Sequence, residues 1–548
     1  MGVDGEGGFC SSSSAGFAKG PDPPLPPAPR GQLTRLPRGL LGESCVPIRG
    51  AGCPPRRSLC RRLLPPPPPP PEVLKRNKRK RQLVDFRRPA GRSAKGSGLQ
   101  RGEGGGVLSF LAPSALAFCR RRVLQIGGLM SAVWLQVGQC GNQIGQAWWE
   151  AVTRSRSRDA NLYPFSSLDG KLSAICVDSE PKVVKTLQKR IPRGSFRESN
   201  LIVGKQGRGN NWAYGYHGVR SEGEQSLSHR TMESLRKEVE RRDCYSGVVL
   251  FHSLSGGTGA GLSSRLCEAI RDEYPVGHIL AVSVAPHQAG ESPLQHYNAL
   301  LCLSWLQRYT DGILLFHNDE VLKRAATLQE KAAAEGGQQV PLSAMNAYLA
   351  SCLTAFLYPL EIFTTQSGIS LGMEPWELLR ATCPGPGLKF LHTAQASTRG
   401  TVFWDSLASS VTQSISRESP SGHPHCSSGL LAVARGLQED AFLVGCKSVL
   451  RKLKQAYRCV PWNPFPATYW TDPVSLGALG RNSHTLTVCA NHSSSADRLQ
   501  RVEQRAWQMY KSKAYLHWYW RHGCEEGDFE QGFETLRSIV EDYSHLGD

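Results

Sequence analysis

From Met130 onward, short apolar runs alternate with segments whose apolar residues recur at helical spacing. "SAVWLQV" precedes "GNQIGQAWWEAVTR", "LSAICVD" precedes "PKVVKTLQKR", and "SGVVLFHSL" precedes "GLSSRLCEAIRDEY"; "HILAVSVAP" and "GILLFHN" are followed in the same way by "PLQHYNALLCLSWLQRY" and "DEVLKRAATLQEKAA". A strand buried on both faces reads as a continuous apolar run, and the helix that covers it reads as amphipathic. Five such repeats predict an α/β fold with a doubly wound parallel sheet, in which ligands bind beyond the carboxyl ends of the strands. Pro341 to Ile362 predicts a long buried helix that closes a first domain over residues 130–362. "GLKFLHTAQAS", "SLASSVTQSI", "GLLAVARGL", "AFLVGCKSVLRKLKQ" and "SHTLTVCANHS" mix strand and helix signals, and predict an α+β intermediate domain over 363–498. "RVEQRAWQMYKSKAYLHWYWRHG" and "EEGDFEQGFETLRSIVEDYSHL" predict two closing helices over 499–548, with the Trp and Tyr stripe used for packing.

Charge changes the picture only at one end. Residues 1–129 hold 23 Lys and Arg against 7 Asp and Glu, whereas residues 130–548 hold 42 against 39, so +16 of the net +19 belongs to the leader. Its Pro, Gly and Arg content builds no periodic apolar face and predicts disorder. The run "KRNKRKR" at Lys75–Arg81 reads as a charged tail, with a nuclear-import or nucleic-acid patch as the other reading. Strand-like sequence begins at once after Met130, which makes residues 1–129 an extension set aside from the fold. No nucleic-acid partner is expected for the folded part, and no membrane partner, because no stretch of 18 apolar residues occurs. The 17 cysteines form no CxxC pair, which points to reduced thiols in a cytosolic or nuclear setting.

Three loops after the apolar runs carry the chemistry. In "SLSGGTGAG" (253–261), Gly256, Gly257, Gly259 and Gly261 allow successive backbone N–H groups to face an anion at the start of a helix, with the Thr258 hydroxyl beside them. The segment lacks the GK[ST] ending of a Walker loop and the GxGxxG order of a dinucleotide site; alone it reads equally as a structural bend. "VGQCGNQIG" (137–145) adds a second Gly-bounded turn with Gln139, Cys140 and Gln143, and "GRGNNWAYGY" (207–216) a third with Asn210.

The order and spacing of "GQCGNQ", "GNNWA" and "GGTGAG" resemble the tubulin superfamily over about residues 130–548. The resemblance implies a GTP-binding domain, an intermediate domain, and closing helices that face microtubule-associated partners. "GNNWAYGY", "SKAYLHWY" and "EEGDFEQGF" look most like the delta and zeta types of centrioles and basal bodies, slightly favouring zeta, and less like the alpha and beta types of the microtubule wall. By the same resemblance, Gln139, Cys140, Gln143, Asn210, Gly256, Gly257, Thr258 and Gly259 hold GTP or GDP phosphates, and Glu291 contacts the ribose. Asn318 and Asn346 read the guanine edge. Asp178 and Glu180 in "VDSEP" fall near Mg²⁺, or else supply charge to a helix N-terminus.

Departures from the family pattern are expected to weaken or alter binding. Ser255 stands for a glycine, so its Cβ crowds the anion unless its φ is negative. Leu342 stands where an aromatic ring stacks on the base, and Gln295 replaces an acid before "HYN". Hydrolysis in the family uses an acid from the next subunit; counting back from Pro384 in "LGMEPWELLRATCPGP" places Glu377 there, with Glu374 a turn earlier, and both also read as first-turn carboxylates. The chain stops at "EDYSHLGD" without a long acidic tail, which argues against a wall subunit. The sequence thus predicts a GTP-binding structural component of centrioles, basal bodies, cilia and the cytoplasmic microtubule cytoskeleton, with other tubulins and centriolar proteins as partners and a longitudinal oligomer as one form. Its rivals are a polymerising GTPase subunit activated in trans, a nucleotide-free scaffold of the same shape, and nucleic-acid binding through the leader.

Overall fold

The computed structural model describes residues 132–547 apart from 155–164, 168, 193, 220–224, 243, 291, 331–339, 361–373, 437–438 and 476–482. The leader with its Lys75–Arg81 run, and Glu291, lie outside the described residues. One sheet of 10 strands runs through the molecule in the order β3-β2-β1-β4-β5-β6-β7-β10-β8-β9. Its first part consists of β1 (Ala132–Val137), β2 (Ala174–Asp178), β3 (Leu201–Val203), β4 (Gly247–Ser253), β5 (His278–Ala285) and β6 (Gly312–His317). All of these pair in parallel, with Trp134 opposite Ala174 and Val249, and Val249 opposite Leu280. β7 (Phe390–Arg399) joins β6 in parallel through only two residue pairs and then runs antiparallel to β10 (Ser483–His492). β10 is antiparallel to β8 (Ser427–Arg435), and β8 is parallel to β9 (Ala467–Asp472).

The apolar runs are buried from end to end because helices cover both faces. On one face lie α1 (Gly138–Arg154), α7 (Asn318–Glu330) and α8 (Leu342–Leu357), whose Trp148, Val321 and Leu353 pack with Trp134, Phe251 and Leu314. The Trp134 and Trp148 rings stack 4.8 Å apart. The opposite face carries α4 (Leu227–Glu240), α5 (Ser263–Glu273), α6 (Gln295–Tyr309), α12 (Ser494–Lys511), α13 (Leu516–Trp520) and α14 (Glu526–Ser544). Around the antiparallel strands, α10 (Trp404–Thr412) and α11 (Glu439–Ala456) build a third apolar cluster. Three short helices remain: α2 (Pro181–Arg190) starts on a proline whose missing N–H costs nothing there, α3 (Trp212–His217) is capped by Asn211 Oδ1, and α9 (Glu377–Thr382) follows Pro375.

All five predicted strand–loop–helix repeats are present, and the structure adds what the pattern does not announce. The three residues of β3 are too few for a period, and α4 opens on the Ser226 cap in a polar stretch. The second half of the third polar loop is the helix α3 rather than a turn. The helix expected to reach Ile362 ends at Leu357, since Tyr358 precedes Pro359 and takes extended angles (φ −86°, ψ 129°). The first closing helix breaks after Lys511: Lys513 (φ 53°) and Tyr515 (φ 59°) are left-handed, and α13 starts beyond them. α14 begins with the reciprocal Glu525 and Asp528 capping box.

Candidate functional site

At the carboxyl edge of β1, β2, β4, β5 and β6 the loops enclose a cavity of about 460 Å³. Its wall includes Gln139, Cys140 and Gln143 from α1, Asp178 and Glu180 after β2, Asn210, and Gly256, Gly257, Thr258 and Gly259. Asn318 at the start of α7 and Asn346 on α8 form the far end with Leu342, Met345 and Leu349. Every candidate binding residue named from the sequence that is described here therefore faces one space. Glu377 is elsewhere: it opens α9 and does not line the cavity, and the Glu374 carboxylate accepts a 3.0 Å bond from Ser246 Oγ.

The loops meet by close backbone approach. Gly138 turns from β1 into α1 with φ +73°, and a Cβ there would lie 2.9 Å from Gly259 N, so the turn requires glycine twice over. After Gly256 the backbone makes a π-helical turn, Gly257–Leu262, which runs directly into α5. Two helix N-termini, with first-turn N–H groups that lack intrahelical acceptors, thus converge on one wall. Ser255 does not take a positive φ and so avoids the crowding a left-handed residue would cause. Gln295 is buried, where a neutral amide avoids the desolvation of an acid.

The polar groups divide by environment. Burial pushes the Asp178 carboxyl up to about 6, against the backbone N–H bonds of Glu180 and Ser179, which favour the ionised form. The same cause pushes the Cys140 thiol up to about 12 and keeps it protonated. The Thr258 hydroxyl shares a 2.6 Å hydrogen bond with Ser179 Oγ, so it braces the loop to the end of β2. Cations come from Lys182 on α2 and from buried Arg208, whose guanidinium sits 4.8 Å over the Tyr214 ring.

Several supporting residues carried no sequence signal beyond their place in a motif. Asn142 Nδ2 donates to the carbonyls of Gly138 and Val177, 2.9 Å each, fixing α1 to β2. His252 Nδ1 faces the carbonyls of Gly259 (3.1 Å) and Ser253 (3.3 Å) and so carries the proton, while Nε2 accepts from Ser283 Oγ at 2.7 Å. Burial lowers this imidazole to about 4. Asn298 of "HYN" ties two loops together: its Nδ2 donates to the carbonyls of Asn210 and Ser255. Ser179, Arg208, Asn142, His252 and Asn298 are recognisable only once burial and partners are known.

This geometry suits an anion held by helix ends at one side and a polar ring system met by amides at the other. Residues 131–326 match the Tubulin/FtsZ family, GTPase domain. Through this domain the chain is similar to the tubulin superfamily, and such a domain implies GTP or GDP as its ligand. Its likeness is of the delta type: it is 29% identical over 470 residues to the tubulin delta chains of Macaca fascicularis and Homo sapiens, covering 76% of this chain and 100% of each relative. A tubulin beta chain of Schizophyllum commune is 26% identical over 444 residues, covering 95% of that protein. The residues fit a guanine nucleotide by volume and donor type, since a 460 Å³ space with backbone N–H groups at one end and two asparagines at the other matches a ligand that is anionic at one end and amide-like at the other. Among the described residues no cluster of three or more acidic, His or Cys groups could hold a metal alone.

Proposed function

We propose that this protein is a guanine-nucleotide-binding tubulin outside the wall-forming types, of the delta or zeta kind, serving as a structural component of centrioles and basal bodies in the microtubule cytoskeleton. One observation carries the nucleotide reading: three loops far apart in sequence, together with Asn318 and Asn346, line a single cavity. In this reading Gln139, Cys140, Gln143, Asn210 and residues 256–259 hold the phosphates, Glu291 the ribose, and Asn318 and Asn346 the guanine edge. Asp178 and Glu180 assist Mg²⁺ at the phosphate end, where the cation supplies charge neutralisation. The delta-type likeness supports the centriolar location, with other tubulins and centriolar proteins as partners and the domain boundaries at 362 and 498.

The test is to denature the purified chain and identify and count the released nucleotide by chromatography. About one guanine nucleotide per chain is the expected result. A protein that releases none and takes up no added GTP would instead be a scaffold with the tubulin shape. A tagged chain that never reaches centrioles in ciliated cells would remove the proposed location.

A second reading, hydrolysis in trans on longitudinal assembly, is favoured by the separation of Glu377 from the chain's own cavity. It predicts phosphate release that rises with protein concentration and is lost in Glu377→Gln.

A further inference from the structure

Asn298 is fully buried, and its side chain makes four hydrogen bonds. Nδ2 donates to Asn210 O (2.7 Å) and Ser255 O (2.8 Å). Oδ1 accepts from the Trp212 backbone N–H (2.9 Å) and from the Tyr519 hydroxyl (2.7 Å). A primary amide offers two hydrogens and two lone pairs, so this one is saturated. Asn210 and Ser255 both line the cavity, whereas Asn298 and Tyr519 do not. The amide therefore sets the separation of two cavity loops and links both to a hydroxyl 221 residues further along the chain.

The segment that carries this hydroxyl, α13 and the residues just after it, touches α3 and its cap twice more. Asn211 Nδ2 donates to Trp518 O at 3.1 Å, and the rings of Tyr214 and His522 stack with centroids 4.3 Å apart. On its other side the helix is open: Trp518 is 44% and Trp520 38% exposed, while Tyr519 between them is buried. α13 thus has an inner side fixed to the cavity loops and an outer side in solvent.

We propose that Asn298 and Tyr519 are positioning residues for the nucleotide loops and that they couple occupancy of the cavity to the order of α13. The proposal rests on the guanine-nucleotide reading above. A ligand that orders the turns at Asn210 and Ser255 fixes the two acceptors of Nδ2, and through Oδ1 it holds Tyr519 and its helix. Such coupling is reciprocal, so loosening α13 must weaken the ligand by the same factor. Tyr519→Phe removes the hydroxyl alone, with its 2.7 Å bond to Asn298 and its longer 3.3 Å bond to the Leu294 carbonyl, because the ring keeps its edge contacts with Tyr297 and Phe529 (5.5 and 5.4 Å).

The experiment uses the full chain loaded with GTP, measuring nucleotide release together with amide hydrogen exchange with and without GTP. In the wild type, GTP should slow exchange in 208–217, 253–262 and 514–523. In Tyr519→Phe, release should quicken roughly three- to tenfold, the scale of one buried hydrogen bond, and 514–523 should no longer respond to GTP although 253–262 still does. A purely structural hydroxyl would lower the melting temperature and leave that GTP response intact, which would overturn the proposal. It would also fall if wild-type 253–262 responds and 514–523 does not, or if Tyr519→Phe releases nucleotide at the wild-type rate. Failure of GTP to protect any of the three segments would sink the nucleotide reading itself, and the coupling with it.

Discussion

Leu342 and Asp178 both line the cavity, and each has a measurable consequence. Leu342 is 51% exposed at the mouth beside Met345 and Asn346, so an aromatic ring there has room to lie against a base. Leu342→Tyr should tighten guanine nucleotide about fivefold, the ~1 kcal/mol typical of an aromatic pair, as read by equilibrium titration. No change would place the base elsewhere. At the proposed phosphate end, burial raises the Asp178 carboxyl to about 6 from an ordinary value of 3.8. A raised carboxyl favours the folded state below the unfolded value and loses that contribution as pH climbs through the folded one. Nucleotide-free wild-type protein should therefore lose on the order of 2–3 kcal/mol relative to Asp178→Asn between pH 4 and 7. Denaturant midpoints of the two proteins across that range provide the check, and parallel curves would contradict the buried, cation-free carboxyl.

The elements around the cavity meet through paired glycines. A Cβ on Gly215 of α3 would overlap the Gly257 carbonyl, and one on Gly261 would overlap the Trp212 carbonyl, so α3 and the π-helical turn press backbone against backbone. Gly215→Ala should cost about 1–3 kcal/mol of stability as an overpacking substitution and, on the proposed reading, should also speed nucleotide release, because the turn it displaces lines the cavity. Thermal melting with a parallel release assay tests this, and wild-type values for both would mean that α3 shifts freely. The glycines of "GNNWAYG" and "GGTGAG" were legible in the sequence as loop residues, but their facing each other was not, since it depends on how α3 crosses α5. The strands were legible for a simple physical reason: burial on both faces leaves uninterrupted apolar runs such as "GVVLFHS". The break between α12 and α13 was not, because nothing in "KSKAY" compels Lys513 and Tyr515 into left-handed angles. Asn298 was visible within "HYN", yet its four partners come from segments with no pattern in common.

At the scale of the molecule, one sheet joins the cavity-facing strands to the antiparallel end, and histidines lie buried or half-buried along the seam. His317 ends β6, His392 lies on β7 and His492 ends β10, with His425 5.6 Å from His492 ring to ring. Burial holds His317 well below the ordinary imidazole value, helped by Arg498, His392 and Arg501. Burial does the same to His492, helped by His392, His425 and Arg498. His392 is lowered to about 4 by burial, against the pull of Glu320, whose carboxylate lies 3.8 Å away, and with Arg498 and Arg324 adding to the fall. His425 meets Asp497 at 3.1 Å, and Arg498 pairs with Glu320, so the carboxylates on this face already have partners. A depressed imidazole contributes stability above its unfolded value of 6.5, and that contribution disappears as pH falls toward the folded value. His252 behind the glycine loop, lowered to about 4, adds a term of the same sign. His252 and His392 each account for about 3 kcal/mol by pH 4, outweighing the opposite contribution of Asp178. The denaturant midpoint should therefore stay level from pH 8 to 7 and fall steadily below about 6.5. His392→Gln should show a shallower fall than wild type over the same range. Equal slopes would mean that His392 does not take up its proton on unfolding, and that the seam between β6, β7 and β10 is open to water in the folded protein.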